Sequence, residues 1–93
     1  MNTLEKMEAD ILESLSEKDT DKEGLSLSFL FAANSGILFA LYNHDRDYQT
    51  VFEDFLMVVD GLRKRGLVQF FDPIGGQDKM DNFNPFTHVS LVQ

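Results

Sequence analysis

His44-Asp45-Arg46-Asp47 gathers an imidazole, two carboxylates and a guanidinium into four consecutive residues. Those are the group types of acid–base catalysis, which needs a proton acceptor held within hydrogen-bond reach of a reacting group. Nothing else in the chain is spaced to complete such a set. His88 is the only other histidine, cysteine is absent, and a run of adjacent polar residues between apolar segments reads as a surface loop. Gly75-Gly76 is not followed by the Lys-Ser/Thr of a phosphate-binding loop. Asp19, Asp21 and Glu23 ahead of Gly24 imitate the start of a calcium loop, but Leu30 stands where the bidentate glutamate belongs. We therefore expect no catalytic residue, no metal site and no cofactor. The remaining chemistry-bearing cluster is Arg63-Lys64-Arg65, whose three cations raise the question of phosphate binding.

The bulk composition narrows the field. A chain of 93 residues, 43% apolar with nine Phe, is sized for one domain over 1–93 with a small core. The net charge of −8 is concentrated at the start, where residues 1–23 hold eight acids against three bases. Such a surface repels nucleic acid and anionic membranes and favours basic partners. Residues 24–43 carry no charge for twenty positions, the length of a bilayer span. Ser26, Ser28 and the Asn34-Ser35-Gly36 turn signal interrupt that stretch, and its flanks are acidic. It reads as core, and the protein as soluble and cytoplasmic.

Amphipathic periodicity supplies the elements. Leu4, Met7, Ile11, Leu12 and Leu15 share one helical face behind an Asn2/Glu5 capping box. A second helix is expected over residues 25–33, capped by Ser26 or Ser28 and broken at Asn34-Ser35-Gly36. Periodicity does not decide between helix and strand for residues 37–42. A third helix over residues 50–65 starts at a Thr50/Glu53 capping box. It carries Val51, Phe52, Phe55, Leu56, Val59 and Leu62 on one face and stops at Gly66. Two strands, near residues 67–71 and 87–93, form a hairpin across a long loop.

Helix, helix, long helix ending in Leu62-Arg63-Lys64-Arg65-Gly66-Leu67-Val68, strand, loop, strand: this order resembles the winged helix-turn-helix superfamily. Residues 34–49 fit least and read as an insertion. The resemblance implies an α+β, mostly helical fold, winged-helix-like, with three or four helices followed by a C-terminal two-stranded antiparallel hairpin. It also implies that residues 50–65 occupy the position of a DNA-recognition helix, whose N-terminal half meets the bases. Here that half offers Glu53 and Asp54, and the wing position over residues 72–86 offers Lys79 as its lone cation. A DNA-binding role would fall to Arg63, Lys64, Arg65 and Lys79, in a dimer. The expectation that follows is a non-enzymatic, acidic interaction protein or regulator that binds another protein. Its contact residues would be Glu53, Asp54, Met57 and Asp60 with Phe71, Phe83 and Phe86 of the hairpin. One version occupies a basic nucleic-acid-binding partner by imitating DNA. Homodimerisation through the first helix or the hairpin is a further expectation, as is a larger assembly that meets residues 24–43.

Overall fold

A computed structural model describes residues 2–20, 23–71 (Phe71 by its backbone) and 87–92. Three helices and three short strands follow in the order α1 (Thr3–Lys18), β1 (Leu25–Ser26), α2 (Leu27–Leu41), α3 (Tyr48–Lys64), β2 (Val68–Phe71) and β3 (His88–Leu91). The fold is α+β and mostly helical, as expected. The C-terminal hairpin is extended to an antiparallel sheet of order β1-β3-β2, so the last strand is the central one. β1 pairs Leu25 with Val89 and Ser26 with His88, while β2 runs beside β3 from Val68↔Leu91 to Phe71↔His88.

Each helix begins where a side chain satisfies an amide that the first turn leaves over. Asn2 Oδ1 accepts from the Glu5 amide at 2.8 Å, and Asn2 Nδ2 donates to Glu5 Oε1. Ser26 is both the last residue of β1 and the cap of α2, its hydroxyl accepting from the Phe29 amide at 3.1 Å. The next amide, Leu27, donates to the Thr87 carbonyl at 2.8 Å, which fastens the start of α2 to the sheet. α3 starts three residues earlier than its Thr50/Glu53 pattern indicated: Asp47 is the cap, accepting from the Thr50 amide at 2.8 Å.

The break expected at Asn34-Ser35-Gly36 does not occur, and α2 runs through it to Leu41. The polar side chains that signal a turn are satisfied within the helix or against its neighbour. Asn34 Nδ2 donates to the Leu30 carbonyl at 2.8 Å and to Ser14 Oγ of α1 at 3.1 Å. Ser35 Oγ donates to the Ala32 carbonyl at 3.0 Å. Residues 34–49 form the second half of α2, the turn after it and the first two residues of α3. That turn places Asn43 (φ 56°) and His44 (φ 58°) in the left-handed region, their amides donating to the Ala40 and Phe39 carbonyls.

α3 ends as its sequence indicates. Gly66 takes φ 77°, its amide donates to the Arg63 carbonyl, and the Leu67 amide reaches back to Leu62. This pair of bonds closes the helix and turns the chain into β2. The core joins one stripe from each helix to the inner face of the sheet. Met7, Ile11 and Leu15 come from α1, Leu27, Leu30, Phe31 and Leu38 from α2, Val51, Phe55, Val58, Val59 and Leu62 from α3, with Val68, Phe70 and Val89 beneath them. Leu4, read as part of the α1 stripe, stays 39% exposed one turn outside this core. Among the described residues no helix is long and apolar enough to cross a membrane.

Two glycines provide opposite tests of this account. A Cβ at Gly61, within α3, meets nothing within 4 Å, so Gly61→Ala is expected to stabilise by about 0.5–1 kcal/mol. Gly66→Ala has the same free space but must hold a Cβ at φ 77°, and is expected to destabilise by about 1 kcal/mol. Urea unfolding of the two variants should move the midpoint in opposite directions.

Candidate functional site

His44, Asp45, Arg46 and Asp47 are exposed in the turn between α2 and α3. In the His44–Asp47 run, His44 and Asp45 donate backbone amides to the end of α2, and Asp47 caps α3. The bond from the Thr50 amide holds the Asp47 carboxyl below its ordinary pKa. His88 lies in β3, on a different element. Asp19 is buried at the end of α1, where its carboxylate accepts from the Gly24 amide at 2.9 Å. Among the described residues no three His, Cys, Asp or Glu side chains come together as metal ligands.

The cationic cluster is likewise engaged. Arg63 and Lys64 both pair with Asp60, one and the other side of the same carboxylate, at 3.2 and 3.1 Å. Arg63 also lies over the Phe70 ring, 5.4 Å from its centroid. Arg65 pairs with Glu8 of α1, which ties the end of α3 to the first helix. Desolvation pushes the Asp60 carboxyl up, but the hydrogen bonds and charges of Lys64 and Arg63 outweigh it, and its pKa falls below the usual value.

Of the acidic residues expected to meet a partner, Asp54 and Asp60 face ligands of this chain. Asp54 Oδ2 accepts a 2.6 Å hydrogen bond from the Tyr42 hydroxyl. Burial first, and then the Asp54 hydrogen bond and charge, push the Tyr42 hydroxyl up to about 12. Glu53 is exposed and accepts from Gln49 Nε2 one turn back, and Met57 is 55% exposed on the same helix. Phe83, Phe86, Lys79 and the side chain of Phe71 lie outside the described residues.

Two surface concavities flank α2, and the sequence reading assigned neither. Phe31 stands at the centre of an aromatic cluster, 5.3 Å from Tyr48, 4.9 Å from Phe52 and 5.1 Å from Phe55, ring centroid to centroid. Beside it opens a groove of about 350 Å³ lined by Ser28, Phe31, Ala32, Ser35, Tyr48 and Phe52. A shallower hollow of about 130 Å³ lies between α1 and α2, where Asp10, Glu13 and Glu17 border Ala33 and Ile37. The available signal was the solvent side of α2 itself, where Phe29, Ala32, Ala33, Gly36, Ile37 and Ala40 are all exposed. That pattern becomes readable only when residues 25–42 are taken as one helix. Comparison with protein families, with characterised proteins and with solved structures finds no match to this chain.

The Tyr42–Asp54 bond has a pH signature. Because the hydroxyl ionises at higher pH in the folded protein, the stability it contributes is complete below about pH 10 and lost as pH rises through about 12. In a Tyr48→Phe background, where Tyr42 is the single tyrosine, absorbance titration should show tyrosinate forming near pH 12. Adding Asp54→Asn should bring that midpoint down while burial keeps part of the rise.

Proposed function

We propose that this chain is a small, acidic, non-enzymatic interaction protein or regulator on a winged-helix-like frame, binding another protein rather than DNA. The frame is supported by the order α1-β1-α2-α3-β2-β3 and by a sheet in which β3 lies between β1 and β2. On this reading α3 would stand in the recognition position.

The observation that carries the functional reading is the state of the cations at the end of α3. Arg63 and Lys64 share the single carboxylate of Asp60, and Arg65 pairs with Glu8, so two acids of this chain offset most of the charge of three bases. A DNA-binding helix keeps such groups for phosphates, because neutralising phosphates provides a large share of the affinity. The N-terminal part of α3 presents Glu53 to solvent and no base. A basic protein partner suits this surface better than a polyanion does.

The competing reading is a dimeric winged-helix transcriptional regulator. A dimer through α1 would have little apolar surface, since Met7, Ile11 and Leu15 are fully spent inside the domain. Two measurements separate the readings. No mobility shift of a duplex is expected at about 50 mM salt, where non-specific phosphate contacts are strong. Light scattering after size exclusion is expected to give the mass of one chain, 10.6 kDa. A salt-sensitive duplex shift carried by a dimer would overturn the proposal.

A further inference from the structure

α2 is apolar on the side that faces solvent as well as on the side that faces the core. Phe29, Ala33, Gly36, Ile37 and Ala40 share one exposed stripe of this charge-free helix, with Phe29 52% and Ile37 53% exposed. The two large side chains stand roughly 12 Å apart along the axis, two turns of helix, with only small residues between them. A ridge, a smooth interval and a second ridge is a surface against which another helix can pack at close range. The fold makes no use of the interval: a Cβ at Gly36 meets nothing within 4 Å.

Charge decides what could cover this stripe. Along its α1 border, Asp10, Glu13 and Glu17 line the same hollow as Ala33 and Ile37, with Lys18 as the only base there among the described residues. A second copy mated through α2 would bring a second such row to the contact and add its own −8. An anionic lipid surface would meet the same repulsion. We infer that this face of α2 docks an amphipathic helix of another protein, with an apolar stripe seated between Phe29 and Ile37 and flanking lysines or arginines paired with Asp10, Glu13 and Glu17. The inference rests on the reading of the chain as an interaction protein and adds to it the surface and the chemistry of the partner.

The test uses the full chain and an amphipathic peptide of about 18 residues, leucine on one face and lysine along its flanks, with its leucine/glutamate counterpart as control. Amide chemical shifts follow the titration. The lysine peptide is expected to bind and to move signals of α2 and of residues 10–17, with affinity falling as salt rises; the glutamate peptide is expected not to bind. Ile37→Glu and Gly36→Leu are each expected to weaken binding by about tenfold or more, with helical content unchanged because both positions point to solvent. Binding that survives both substitutions, or that maps to the Met57 side of α3, overturns this docking site and leaves the interaction reading standing. So does the absence of binding at about 1 mM peptide. A chain dimer abolished by Ile37→Glu, or vesicle binding abolished by it, overturns the inference in favour of a second copy or a membrane. A duplex shift at low salt is the separate outcome under which the proposed function itself fails.

Discussion

The buried stripe of α3 is the constraint on which the other elements rest. Val51, Phe55, Val58, Val59 and Leu62 are withdrawn from water along one side of a single helix, and α1, α2 and β2 all pack against α3. In a chain this short there is one core to share, so each element must place its apolar side against the same few residues. Leu62 serves twice. Its side chain is in that core, and its carbonyl receives the Leu67 amide that ends the helix and directs β2 beneath it.

How much of this was legible follows from where the determining interactions lie along the chain. The Asn2 cap, the buried side of α3 and the Gly66 stop depend on residues within a turn of one another, and local pattern reveals them. α2 was misread because Asn34 looks like a breaker until Ser14, twenty residues earlier, is available to receive its amide. β1 is two residues long, too short for any alternation, and exists because Val89 and His88 arrive beside it. The start of α3 was displaced because both Asp47 and Thr50 can cap, and the choice falls to the residue whose carboxylate is presented after the left-handed turn at Asn43 and His44.

The candidate site was less legible than the fold, for the same reason in stronger form. A run of three cations reads as a phosphate-binding feature until its counter-ions are known. One of those, Asp60, is a turn away and visible; the other, Glu8, is 57 residues distant. The acids expected to reach outward also proved partly committed, Asp54 to Tyr42 and Asp60 to Arg63 and Lys64. Exposed apolar surface remains on α2, where Phe29, Ala33, Ile37 and Ala40 face solvent. A sequence pattern treats a charge-free run as interior, whereas a helix at the surface of a small domain has a second side that the domain is too small to cover.

The place of β3 in the sheet has a consequence for how the chain acquires its shape. The central strand β3 comes after β1 and β2 in the chain, and each of those two pairs with it rather than with the other. Helical contacts can form while β3 is still missing, but Leu25–Ser26 and Val68–Phe71 then have no strand to pair with. The pairing of Leu25 with Val89 closes about two thirds of the chain into one loop, a non-local contact of the kind that slows folding. Until it closes, β1 and β2 have unpaired edges and the sheet side of the core is uncovered, surface of the kind that favours aggregation.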